Sequence, residues 1–175
     1  MQTLLTRGNS LAFGSALAAI LLLTSNLVVA QDTIEWTTLG NDFAHTRYTP
    51  ANQITAENFS ELEVAWEWNG ASFNAVSGRS TPSFINGKLY TVAGAARSVI
   101  ALDPKTGETL WTYREPNTPR GDYSMRADYG KGVGYAEVDG RGVIYIISPA
   151  FFLTALDADT GIPLEGFGKP VPIDG

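Results

Sequence analysis

Two stretches of this chain repeat each other. Gly87-Lys88-Leu89-Tyr90 recurs as Gly142-Val143-Ile144-Tyr145, 55 positions on. Ala101-Leu102-Asp103-Pro104-Lys105-Thr106-Gly107 recurs as Ala155-Leu156-Asp157-Ala158-Asp159-Thr160-Gly161, 54 positions on, and the one-residue slip falls in the connecting turn. A period of this size is the mark of repeat architectures, in which each unit buries its apolar faces against its neighbours.

The residues inside the repeat say what the unit is. In the first copy Phe84-Ile85 leads into the hairpin dipeptide Asn86-Gly87, and Lys88 to Val92 returns as an extended segment. Ser98 to Leu102 is the next strand, Asp103 to Gly107 turns the chain, and Leu110 to Tyr113 comes back. Pro104 presets φ in that turn and Gly107 supplies its left-handed end. The second copy starts at Val133-Gly134-Tyr135, turns at Asp139-Gly140, and runs through Val143 to Ile147 and Leu153 to Leu156. Pro163, Gly166 and Gly168 stand where Trp111 and its neighbours sit in the first copy, which weakens a fourth strand there. Short antiparallel sheets recurring every 50 or so residues predict an all-β chain of β-propeller blades, with a sandwich as the rival architecture. Upstream, Thr55 to Phe59 reads as a helical turn, and Leu62, Val64, Trp66 and Trp68 alternate as a strand with one apolar face. Two blades do not close a ring, so the chain reads as the front part of a longer protein.

Composition removes whole classes of function. Over 175 residues, 12 Lys and Arg face 18 Asp and Glu for a net charge of −6, which argues against nucleic acid or anionic lipid as a partner. The absence of cysteine rules out disulfide scaffolds, thiolate zinc sites, iron–sulfur clusters and cysteine nucleophiles, and His45 is the only histidine. Residues 1–30 carry one charge, Arg7, an apolar core from Ala16 to Leu23, and a small residue at Ala30, the pattern of a signal peptide cleaved after Ala30. The eight-residue core is too short for a hydrocarbon layer of about 30 Å, and an uncleaved anchor over Leu11 to Ala30 is the alternative. Residues 31–175 are thus expected to work outside the cytoplasm, in the periplasm, with membrane association left open. Gly130-Lys131-Gly132 lacks the spacing of a phosphate-binding loop, and Asp103 and Asp157 recur with their turns and cap them.

Taken together, these residues resemble the pyrroloquinoline-quinone (PQQ)-dependent dehydrogenases of the quinoprotein alcohol and glucose dehydrogenase type, whose catalytic domain is an eight-bladed propeller. The resemblance is carried by Trp36 to Asp42 with Thr46 to Pro50, by Gln53-Ile54, and by Leu62 to Trp66. It continues through Ala101 to Trp111, similar to the family's blade-docking repeat, Gly130 to Tyr135, and Gly166-Phe167-Gly168. It implies oxidation of an alcohol or aldose by hydride transfer to PQQ, with Ca²⁺ polarising the quinone carbonyl and electrons passing to a quinone or cytochrome acceptor. The family's calcium ligands and catalytic Asp belong to later blades, so the resemblance implies no catalytic or metal residue here. It does imply cofactor contacts. Lys131 stands at a quinone-binding Arg, which keeps the charge and loses the fork; a solvated turn lysine is the alternative. Ser148 matches a Thr hydroxyl, with an ordinary strand-end serine as the alternative; Arg79 replaces a Glu or Gln near the quinone and either pairs with a cofactor carboxylate or, the favoured reading, points to water; Arg126 matches a basic residue of some relatives, with a surface charge as the alternative. Met125-Arg126 takes the place of the adjacent cysteines of some alcohol oxidisers. A non-catalytic propeller scaffold of the outer-membrane assembly type, built on the same repeat, is the alternative function. Residues 31–175 expressed alone are expected not to melt cooperatively as a monomer; a sharp two-state transition at low concentration contradicts this.

Overall fold

The computed structural model describes residues 33–75, 79–125, 130 and 132–169; the signal peptide predicted for residues 1–30 lies outside them. Among the described residues no helix is long and apolar enough to cross a membrane. The first repeat forms one antiparallel sheet of β1 (Ser83–Ile85), β2 (Lys88–Ala93), β3 (Ser98–Leu102) and β4 (Thr109–Tyr113), in that spatial order. The second forms a sheet of β5 (Gly134–Val138), β6 (Arg141–Ile147) and β7 (Leu153–Asp157). Between them the chain makes a single helical turn, α1 (Pro119–Asp122), begun by Thr118, whose hydroxyl accepts from the Gly121 N–H at 3.1 Å.

The strands fall where the repeat places them. Asn86-Gly87 and Asp139-Gly140 close tight hairpins with positive φ at all of these residues, the geometry that matches strand twist. The fourth strand of the second copy is reduced to an isolated bridge between Leu156 and Pro163, as the Pro and Gly residues there suggested. Upstream, Trp36 bridges the edge of the first sheet, donating to the Phe84 carbonyl at 2.8 Å. Both repeat turns are held by their aspartates. Asp103 accepts from the N–H groups of Lys105 and Thr106 at 2.7 and 3.0 Å, and Asp157 from those of Asp159 and Thr160 at 3.1 and 2.9 Å. These bonds to the charged form hold both carboxyls below the ordinary carboxylate range; for Asp157 the largest cause is the Thr160 hydroxyl.

The two sheets stack face to face. Tyr90, Val92, Val99 and Ala101 of the first meet Ile144, Ile146 and Leu156 of the second in one buried cluster. Ile100 and Leu102 point the other way, against Trp66, Trp68 and Phe73. All of β3 is therefore buried, and each large aliphatic side chain removed from water there contributes about 1.5–3 kcal/mol. The far face of the second sheet has no such cover: Ile147, Leu153 and, beside them, Phe151 are 53%, 55% and 60% exposed.

One contact sets the stacking. Trp111 of β4 lays its ring on Gly161 in the turn of the next repeat, so close that a Cβ on Gly161 would stand 2.4 Å from the indole, and its Nε1 donates to the Ala158 carbonyl at 3.1 Å. Tyr90 donates to the same carbonyl at 3.0 Å, and Lys88 pairs with Asp159 at 2.7 Å. Trp66 repeats the arrangement one step earlier. Its ring lies on Gly107, and its Nε1 donates at 3.0 Å to Pro104, the counterpart of Ala158. The alternation of Leu62 to Trp68 predicted a strand, yet the segment is irregular: Leu62 and Val64 are exposed, and Trp66 and Trp68 anchor by their rings. Trp68 donates to the Thr109 hydroxyl at 3.2 Å and stacks on Phe73. Indole anchoring, not a backbone ladder, holds this segment to the first sheet.

Gly161→Ala is expected to destabilise the fold by about 2–4 kcal/mol, because the new methyl meets the ring of Trp111 as well as the positive φ of 72°. Gly140→Ala, at a φ of 74° with nothing within 4 Å, is expected to cost only about 1–2 kcal/mol. Denaturant unfolding of the two variants of the complete polypeptide isolates the ring contact; equal losses would show that it does not matter.

Candidate functional site

Strand register puts Arg79, Ser148 and the two glycines flanking Lys131 at one end of the stack. Ser83 at the start of β1 pairs with Tyr90, and Ser98 at the start of β3 with Ala93, so residues 79–82 and the 94–97 hairpin share an end of the first sheet. Gly134 pairs with Tyr145 and Ile147 with Leu153, which puts Gly130, Gly132, Val133 and the 148–152 turn at one end of the second. Arg97 ties the two ends together, its Nη1 donating to the Ile147 and Ser148 carbonyls at 3.1 Å each. The opposite end holds the repeat turns and the docked tryptophans.

The two ends differ in charge. Arg79, Arg97, Arg114 and Arg120 lie in the loops of the first end with Glu115 and Asp122, whereas the turns of the second set Asp103, Asp139, Asp157 and Asp159 beside Lys88, Lys105 and Arg141. A cationic end on an acidic chain favours an anionic small molecule at that end.

Each predicted residue can be followed. Arg126 and Lys131 lie outside the described residues, but the neighbours of Lys131 do not. A Cβ at Gly130 would meet Val92 Cγ1 at 3.0 Å, and one at Gly132, where φ is +128°, would meet the Thr81 carbonyl oxygen at 2.9 Å. The backbone on either side of Lys131 is thus pressed into a cradle that only glycine fits. Arg79 is exposed, just ahead of Ser80, whose hydroxyl donates to the Val92 carbonyl at 3.0 Å and fixes the start of β1. Ser148 is 3% exposed, and its hydroxyl is engaged within the protein: it accepts from the Phe152 N–H at 3.2 Å and bonds the Glu115 carboxyl. Its backbone also exchanges bonds with Phe152 and Phe151 at 2.9 Å each. Burial raises the Glu115 carboxyl above the ordinary range, with the Ser148 hydrogen bond opposing it, and burial lowers the Arg97 guanidinium. Glu115 stands between two clefts of about 180 and 560 Å³, the larger lined by Tyr113, Phe151, Phe152 and Phe167.

Sequence reasoning missed Arg97 and Glu115, whereas the inter-blade packing of Trp66 was legible. Glu63-Val64-Ala65-Trp66-Glu67-Trp68 parallels Glu108-Thr109-Leu110-Trp111-Thr112-Tyr113, and Arg97 is the one long side chain in the hairpin Gly94-Ala95-Ala96-Arg97. Glu115 left no mark in the pattern.

Comparison with known proteins bears on this arrangement. Residues 36–174 match the family model "PQQ: Glucose/ethanol/alcohol dehydrogenase, beta-propeller domain". The chain belongs to this family. It is 37% identical over 129 residues to a 1-butanol dehydrogenase (cytochrome c) of Thauera butanivorans, covering 73% of this chain and 18% of that protein. It is 36% identical over 138 residues to a quinohemoprotein alcohol dehydrogenase of Comamonas testosteroni, covering 75% of this chain and 18% of that protein. The crystal structure of the Comamonas testosteroni quinohemoprotein alcohol dehydrogenase superposes with a TM-score of 0.62 at 31% identity, over 77% of this chain and 19% of that one. A europium-containing methanol dehydrogenase gives a TM-score of 0.57 at 25% identity, over 74% and 22% of the two chains. The chain thus spans about 18% of the length of these curated relatives, and its stacked sheets are part of a PQQ-dehydrogenase β-propeller. Among the described residues no group of three or more His, Cys, Asp or Glu is placed to hold a metal ion.

Glu115 gives the site a pH dependence of defined sign. A carboxyl raised by folding contributes stability below its unfolded pKa and loses it as pH rises through its folded one. Glu115→Gln mimics the protonated form, so its melting temperature relative to wild type is expected to rise as pH increases upward from about 4.5, the unshifted value. A difference that is flat between pH 4 and 8, or that falls, contradicts the buried carboxyl.

Proposed function

We propose that this chain is the amino-terminal part of an exported quinoprotein dehydrogenase that oxidises a small alcohol with PQQ and Ca²⁺ and passes the electrons to a cytochrome or quinone. The observation that supports the reading is that Arg79, the Ser148 turn and the two glycines flanking Lys131 lie at one end of the stacked sheets. The alcohol dehydrogenase relatives support it and favour an alcohol over an aldose.

The residues present fit the group. PQQ is a tricarboxylate, and Lys131, whose flanking glycines pack tightly on Val92 and Thr81, together with the exposed Arg79 supplies the positive charge that such an anion needs. When bound, PQQ supplies the carbonyl that accepts hydride from the alcohol carbon. The chain's own part is binding and orientation. Lys131 holds a carboxylate as a point charge, Gly130 and Gly132 let the main chain approach Val92 and Thr81, and Arg79 and Arg126 add positive potential around the site. The Ser148 hydroxyl, spent on Phe152 and Glu115, shapes the turn that faces the same end. The base and the Ca²⁺ ligands come from later blades, and the apolar outer face of the second sheet receives the next blade. Export places the enzyme in the periplasm.

The test is reconstitution of the complete polypeptide. Dye reduction with ethanol or 1-butanol is expected only when PQQ and Ca²⁺ are both supplied, and Lys131→Ala is expected to weaken PQQ binding about 10-fold, or about 1.4 kcal/mol. Dye reduction indifferent to both additions, or a folded protein that takes up no PQQ, refutes the proposal and favours the non-catalytic scaffold.

A further inference from the structure

We infer that Arg97 is a positioning residue that locks the Ser148 turn and the Lys131 cradle into one fixed relation across the boundary between the two sheets. The inference rests on the function proposed above and concerns a residue that neither repeat nor motif singles out. Arg97 belongs to the β2–β3 hairpin of the first sheet, yet its guanidinium reaches the second. One nitrogen, Nη1, donates to two successive carbonyls, those of Ile147 at the end of β6 and Ser148 at the start of the turn. Its aliphatic stem is the wall against which Gly130 rests: a Cβ there would stand 3.4 Å from Arg97 Cγ and 3.6 Å from Cδ. A single side chain therefore touches the two loops that carry the expected cofactor contacts, and those loops have no other link of this kind among the described hydrogen bonds.

Two features argue that the position is held for this purpose. Arg97 adopts φ +50°, the left-handed region that side-chain-bearing residues seldom occupy and that persists where the surroundings over-determine it. The side chain is 8% exposed, so its charge is withdrawn from water and faces carbonyl dipoles instead. Lysine would keep the charge but not the rigid planar head that spans two carbonyls from one stem. Loss of the guanidinium frees the Ser148 turn directly and the Gly130 side through the stem, which the two bonds no longer hold in place, although the loops are separated in sequence and one of them belongs to the connection ahead of β5.

Amide hydrogen exchange and PQQ titration on the complete quinoprotein test this. Arg97→Met keeps the stem and removes the donors. It is expected to speed exchange at least 10-fold in peptides covering both Gly132–Tyr135 and Ser148–Phe152, and to raise the Kd for PQQ at least 10-fold, with the alcohol KM at saturating PQQ unchanged. Arg97→Lys is expected to recover part of both effects. Tyr90→Phe, which removes a hydrogen bond at the opposite end, serves as the stability control and is expected to lower the unfolding midpoint without either change. Unchanged exchange in either peptide overturns the inference, as does the same pair of losses in Tyr90→Phe. Where Arg97→Met does not fold, wild-type exchange and wild-type PQQ affinity in Arg97→Lys overturn it. If the wild type takes up no PQQ, the proposed function fails; if it does and Arg97→Met binds equally well, only the role of Arg97 fails.

Discussion

An indole lying flat on a glycine is the contact from which the rest of this structure follows. The turn that ends each repeat needs a left-handed residue, and only glycine both accepts that conformation and leaves its Cα face bare for a ring. The ring's Nε1–H then finds a carbonyl three residues before that glycine, Pro104 for Trp66 and Ala158 for Trp111, so the same bond is made twice with the same geometry. Dispersion over the ring face is non-directional, but the hydrogen bond is not, and together they fix how far and at what angle one sheet lies over the next. The buried cluster between the sheets fills the space this spacing leaves.

Fixing one end frees the other. At the docked end the turns are short, acidic and saturated with their own hydrogen bonds, as Asp103 and Asp157 show. At the far end the connections are longer, carry arginines, and hold buried polar groups such as Ser148 and Arg97. A scaffold whose register is set elsewhere can vary these loops without losing its stacking, which leaves that end open to binding residues. Belonging to the PQQ-dehydrogenase family and presenting this cationic end are two independent observations that agree.

The fold was largely legible in the sequence because its determinants are local and periodic. Asn86-Gly87, Asp139-Gly140 and the Asp-to-Gly turns announce themselves by conformational need, and the strands between them follow from alternation. The segment Leu62 to Trp68 shows where alternation misleads: the pattern of a half-buried strand was present, but one pair of rings, not a ladder, decides its structure. The site was less legible. Arg79, Lys131 and Ser148 were named by resemblance, and the register puts Arg79, Ser148 and the glycines beside Lys131 at one end. Arg97 and Glu115 act across the sheet boundary, between residues about 50 and 33 positions apart, and no spacing rule within one repeat reports such a pairing. The hydroxyl of Ser148 was legible as a polar group but not as one already committed to its own turn.

The tryptophan contact also has a sense of direction: each sheet offers a ring forward and presents a glycine backward, like couplings on railway carriages. Such a stack tolerates being opened between any two units and rejoined end to end, since every coupling is remade in the same order. It does not tolerate a unit inserted the wrong way round, which would set ring against ring. Duplication of whole repeats is therefore compatible with the coupling, since each new unit brings its own ring and its own glycine.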